Sequence, residues 1–111
     1  MEDPKSMWEE IELLFQNRFK KEADLKSVLY VIGLRDLGLG SGNYNKSDKE
    51  QIINHSVCRL LSQKGFFSIK KAESKWPEWQ QEKAFPKLKI KEQEDLLKEC
   101  AYTYLKSEGI L

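Results

Sequence analysis

Valine, leucine, tyrosine and isoleucine fill the stretch Ser27-Val-Leu-Tyr-Val-Ile-Gly-Leu34, and from Val28 to Leu34 no side chain carries a charge. Wrapped at 100° per residue, Val28, Leu29, Tyr30, Val31, Ile32 and Leu34 point in every direction, so a helix here is buried on most sides. A short apolar run rich in β-branched residues also suits a buried strand. The flanks decide for a helix: Asp24 stands at an N-cap position, Arg35 suits the C-terminal end of the dipole, and Gly38 follows as a stop. Gly33 inside such a helix costs about 1 kcal/mol relative to alanine, which implies that a neighbouring backbone comes close there. The rest of the chain is expected to pack around this stretch.

A chain of 111 residues makes about one domain, and residues 1–111 are read as a single helical one. Its net charge is +1, with 19 basic and 18 acidic groups. That balance gives little long-range attraction for a polyanion and argues against nucleic acid as a partner. The surplus is uneven, however: residues 25–71 carry 8 basic and 3 acidic groups. The opening Met-Glu-Asp-Pro-Lys does not resemble a secretory signal, and no run approaches the ~20 apolar residues that cross a bilayer. Cys58 and Cys100 lack a CxxC partner. Together these features indicate a cytoplasmic protein with free thiols and no membrane association.

Three further helices are expected. Asp3-Pro4 is a start signal, and Met7, Trp8, Ile11, Leu14, Phe15 and Phe19 then share one face to about residue 20. Ser47-Asp-Lys-Glu50 reads as a capping box opening a helix to about residue 64, with a stripe of Ile52, Ile53, Val57, Leu60 and Leu61. The last helix, 90–107, carries Leu96, Leu97, Cys100, Ala101, Tyr104 and Leu105 on one side. With the central helix at 24–37, the expected fold is all-α in the sense of mainly helical, a small four-helix bundle-like domain. Between helices three and four, alternation over residues 66–70 and 78–85 predicts a short β-hairpin or two extended arms, with the turn near Glu73–Pro77.

Three segments carry residue types suited to chemistry or recognition. Gly40, four residues, then Asn45-Lys46-Ser47 approaches a phosphate-binding loop, but asparagine replaces the second glycine and a helix precedes it. A plain flexible loop is the better reading. On the third helix, Gln51, His55, Cys58 and Ser62 recur at intervals of four, three and four residues and so share one side. That row could be solvated, form a polar seam, or be a thiol- or metal-dependent site at His55 and Cys58, since an imidazolium beside a thiol lowers its pKa. A structural zinc site lacks ligands, no catalytic set is complete, and no metal or cofactor is implied. The aromatic concentration is the other candidate. Phe66, Phe67, Trp76 and Trp79 lie within 14 residues, and large aromatics either close one end of a bundle or form a recognition surface. Lysines surround them, as on single-stranded nucleic-acid platforms, but Glu73, Glu78 and Glu82 are interspersed.

Leu34-Arg-Asp-Leu-Gly38, the helix with His55 and Cys58, Gly65-Phe-Phe67, Trp76-Pro77 and Phe85-Pro-Lys-Leu88 together resemble an uncharacterised family of short bacterial proteins. The resemblance runs from about Leu25 onward and implies a small bacterial cytosolic protein, with no catalytic residues to carry over. The reading that follows is a non-enzymatic interaction module, binding a protein partner or forming a homodimer through Phe66, Phe67, Trp76 and Trp79. Activity at His55 and Cys58 is the alternative, and weak nucleic-acid binding by the basic middle of the chain comes third.

Overall fold

The computed structural model describes residues 3–40, 42–71 and 76–111. Four helices, α1 (Pro4–Phe19), α2 (Leu25–Asp36), α3 (Lys46–Ser62) and α4 (Ile90–Ser107), account for most of the chain. Strands β1 (Phe67–Lys71) and β2 (Glu78–Gln81) form an antiparallel pair between α3 and α4. The expected excursion is thus a true two-stranded sheet, which makes the chain mainly helical rather than purely α. The turn expected near Glu73–Pro77 lies largely outside the described residues.

The chain's contacts gather into two compact units. One takes the chain up to Val28 and from Leu88 onward; the other is Leu29–Lys87. A regular four-helix bundle is therefore not what forms: α1 packs with α4 in the first unit, while the body of α2, α3 and the hairpin belong to the second.

In the first unit, Ile11 and Phe15 of α1 are completely buried, as the helical stripe requires. Leu13, off that stripe, is 63% exposed. Cys100, Ala101, Tyr104 and Leu105 of α4 are buried where the spacing places them. Tyr102 is buried too, off the expected stripe; its hydroxyl donates to Glu10 Oε2 at 2.7 Å, which satisfies its polar end. Lys106 Nζ lies 3.5 Å from the other oxygen of the same carboxylate.

Helix α2 opens as expected, with Asp24 Oδ1 accepting from the Ser27 N–H at 2.7 Å. Val28, Leu29 and Ile32 are buried, while Tyr30, Val31 and Leu34 are half-buried. Gly33 fulfils the expectation of a close backbone. A Cβ built on it would sit 2.4 Å from the Ile52 carbonyl oxygen and 2.6 Å from Ile52 Cγ2, so α2 and α3 cross here with only a hydrogen between them.

Helix α3 begins differently from the expected Ser47 capping box. Asn45 is the N-cap, its Oδ1 accepting from the Asp48 N–H at 2.8 Å. Asparagine caps as well as serine, and starting there adds two residues, Lys46 and Ser47, to the helix while keeping Asp48 in the first turn, where its negative charge complements the positive end of the dipole. In the glycine-rich loop before it, the Tyr44 hydroxyl donates to the Gly40 carbonyl at 2.5 Å.

The hairpin register pairs Phe67 with Gln81, Ser68 with Gln80 and Ile69 with Trp79, with a shift before Lys71 meets Glu78. β2 stops at Gln81, not at the expected residue 85, because it runs out of partner. Gly65, at φ +80°, swings the chain out of α3, so no extended backbone lies upstream of Phe66 to continue the ladder. The last cross-link is Glu82 N–H to the Phe66 carbonyl at 2.8 Å.

Candidate functional site

Three elements of the second unit meet at one imidazole. Asp36 closes α2, a position where the helix carries about half a negative charge, so a carboxylate there needs donors or cations. His55 and Arg59, one turn apart on α3, supply both. His55 Nε2 lies 2.6 Å from Asp36 Oδ2, and Arg59 Nε donates to that same oxygen at 2.9 Å. From the hairpin, Trp79 Nε1–H donates to His55 Nδ1 at 3.1 Å. The Trp79 ring leans against the imidazole at a centroid distance of 5.4 Å, and the Arg59 guanidinium carbon sits 5.1 Å from the indole centroid.

This geometry assigns the histidine tautomer. An indole N–H can only donate, so Nδ1 holds a lone pair and the ring hydrogen is on Nε2, directed at Asp36. His55 is 5% exposed and Asp36 15% by side chain, so the bonds are shielded from water. Burial pushes the Asp36 carboxyl up, but the hydrogen bonds from His55 and Arg59, with the guanidinium charge, more than offset it and hold it at about 2. The carboxylate therefore stays ionised across the ordinary pH range.

An aspartate that orients a histidine is half of a hydrolytic triad. Here the other half is blocked. The nitrogen that would take a proton from a substrate already accepts a hydrogen bond from Trp79, and the nitrogen on the far side is hydrogen-bonded to Asp36. Coordinating a metal through either nitrogen would require breaking one of these two bonds. The constellation is a latch that fastens β2 to α3 and α3 to the end of α2.

The row expected on α3 is not one environment. Gln51 is exposed, His55 and Cys58 are buried, and Ser62 is half-buried with its hydroxyl donating to the Arg59 carbonyl at 2.5 Å. His55 bonds Asp36 and Trp79, residues distant in sequence, rather than neighbours of its own row. Burial also pushes the Cys58 thiol up, opposite to what a reactive thiolate needs. No group of three or more potential metal ligands occurs among the described residues.

The four aromatics divide as well. Trp79 belongs to the latch. Phe66 pairs with Phe85 at 5.1 Å between centroids, under Lys83 Nζ at 4.5 Å. Phe67 and Trp76 are half-buried, and no single cluster of the four was found among the described residues. Arg59, one of the 8 basic residues of the 25–71 stretch, is engaged by Asp36 and stacked on Trp79.

Asp36 and the role of Arg59 escaped the sequence reading. One signal was available: an acid in the last turn of a helix opposes the dipole and invites a search for its compensating partner. The i, i+4 pair of His55 and Arg59 was a second.

Comparison with protein-family models, with curated proteins and with solved structures returned no match. No helix among the described residues is long and apolar enough to cross a membrane.

Proposed function

We propose that the chain is a non-enzymatic interaction module that contacts a protein partner, or a second copy of itself, through the apolar face of the β1–β2 hairpin. One observation carries this reading: Ile69 is 38% exposed, opposite Trp79 and two residues from Phe67. Residues paired directly across strands share a face, as do residues i and i+2, so Phe67, Ile69 and Trp79 form one apolar stripe. Trp79 is anchored on His55, while Ile69 beside it on the neighbouring strand stays partly open to solvent. Ser68, Lys70 and Gln80 occupy the other face and are exposed. The latch supports the reading from the other side, since it engages the one histidine in holding the hairpin instead of in catalysis. A cytoplasmic setting accords with it, as Cys58 and Cys100 are buried thiols and not disulfide partners.

A photo-crosslinking residue placed at Ile69, and separately at Gln80 on the opposite face, tests the proposal in the native cell and in the purified chain. A discrete heavier product from Ile69 and none from Gln80 is the expected result. Equal products from both faces, or none from either, would refute it.

A further inference from the structure

We infer that the first unit carries a separate docking groove, along α1 and α4, for a basic amphipathic segment of a partner protein. The groove has a volume of about 830 Å³ and is lined by the first halves of both helices. From Asp3 to Glu12 it follows α1 for roughly 13 Å at 1.5 Å per residue, longer than a single ammonium group fills. Met7, Trp8 and Leu96 give it an apolar floor, and all three are half-buried. Methionine adapts to varied side chains, and tryptophan is the residue most enriched where binding energy concentrates.

The rim specifies the sign of the occupant. Asp3, Glu9, Glu12, Glu92, Asp95 and Glu99 supply six carboxylates against the three lysines Lys5, Lys91 and Lys98. Two of those lysines already have internal contacts. Lys98 Nζ stands 4.8 Å from the Trp8 ring centroid, and Lys91 Nζ lies 3.9 Å from Asp95 Oδ2. Some of the acid serves the helix N-termini, each of which carries about half a positive charge. Two such ends offset only about one of the three surplus negative charges, so roughly two remain. A polyanion is repelled by this rim. A helix or strand with lysine or arginine flanking leucine-like side chains matches both floor and rim. Lys98 already covers one face of the Trp8 ring, so an incoming cation is met by the carboxylates of the rim and its apolar side chains by the floor.

The probe is a fluorescein-labelled amphipathic peptide of leucine and lysine, titrated with the full chain at low salt and followed by anisotropy. Two peptides of the same length serve as controls, one of leucine and glutamate and one of serine and lysine. Binding of the leucine–lysine peptide with a Kd of roughly 1–100 µM is expected, at least about tenfold tighter than either control, a difference set by both charge and apolar contact. Glu9→Lys with Glu12→Lys, both at exposed positions, is expected to weaken it about tenfold, and Glu9→Gln with Glu12→Gln by less. Circular dichroism checks that these variants keep the fold, and the glutamine pair provides the reading if the lysine pair does not. The Trp8 indole N–H resonance, assigned with Trp8→Phe, should shift on binding. No binding, equal binding of either control, or binding indifferent to Glu9 and Glu12 overturns the proposal. Sedimentation of the chain alone covers the remaining occupant: self-association lost in the Glu9 and Glu12 variants would overturn it in favour of a second copy.

Discussion

Replacing Gly33 with alanine sets two physical effects against each other, and the structure decides the sign. Helix propensity alone makes the change favourable by about 1 kcal/mol, because glycine is poor in a helix interior. The crossing with α3 opposes it. The new methyl would lie 2.4 Å from the Ile52 carbonyl oxygen and 2.6 Å from Ile52 Cγ2, about 1 Å inside the separation at which such atoms pack comfortably. Ile52 cannot yield cheaply: its side chain is completely buried, and its carbonyl belongs to the α3 ladder. The helices must move apart, and overpacking of a closed core costs about 1–3 kcal/mol, occasionally more. Separation would also lengthen the bonds from Asp36 to His55 and Arg59, which begin one turn beyond Gly33. Subtracting the propensity gain leaves a net loss of up to about 2 kcal/mol. For a chain of this length that lowers the melting temperature by up to roughly 12 °C. Urea unfolding followed by circular dichroism measures it directly, with an unchanged denaturant slope confirming that the native state and not the unfolded chain was altered. A midpoint clearly above that of the parent, the result helix propensity alone would give, would mean that the close approach of α2 and α3 is wrong.

Trp79→Phe keeps the ring but removes the donor to His55 Nδ1, and leaving that shielded lone pair unbonded is expected to cost about 1–2 kcal/mol in urea, with faster hydrogen exchange in β2; an unchanged midpoint would remove the latch. The Asp36 carboxyl is lowered from 3.8 to about 2 in the folded chain, so its contribution is complete above about pH 4 and is lost as pH falls towards 2. After discounting for partial exposure this amounts to about 1–2 kcal/mol, and the stability difference between the parent and Asp36→Asn should shrink across that window. Ser56 is completely buried and its hydroxyl has no hydrogen-bond partner among the described residues; Ser56→Ala is therefore expected to be neutral or stabilising by up to about 2 kcal/mol in thermal unfolding, and a clear loss would mean that the hydroxyl is bonded after all. The Cys58 thiol, buried and pushed up, should react with a disulfide reagent far more slowly than free cysteine in the native chain, and a fast native phase would restore the thiol reading.

What the sequence made legible follows the reach of each signal. Helix periods and stop glycines are local, so α1, α2 and α4 lie within about a residue of the expected bounds. The role of Gly33 was readable for a related reason: a glycine in an otherwise strong apolar helix has few uses other than close approach. The start of α3 shifted because Asn45 and Ser47 are both competent caps two residues apart, and local preference ranks them nearly equal. Burial of His55 and Cys58 was beyond the period of α3 itself, since what covers them comes from elsewhere in the chain. The latch residues Asp36 and Trp79 stand 19 and 24 positions from His55, and nothing in a single sequence joins residues at such separations.

The latch also explains how so small a sheet persists. Two strands are only marginally stable in water by themselves, and β1 and β2 hold few ladder bonds, with a shift between Ile69 and Lys71. Trp79 supplies what is missing, a shielded hydrogen bond and a stacked ring that tie the middle of the hairpin to α3. Asp36 in turn fixes the His55 tautomer, so that Nδ1 is always the atom presented to the indole. The coupling runs in one order: the end of α2 orients the imidazole, the imidazole holds Trp79, and Trp79 sets the face on which Ile69 stands exposed. A substitution at Asp36 should therefore loosen the strand pair first, because the bonds from Asp36 to His55 and Arg59 and from Trp79 to His55 join α2, α3 and β2, all within Leu29–Lys87.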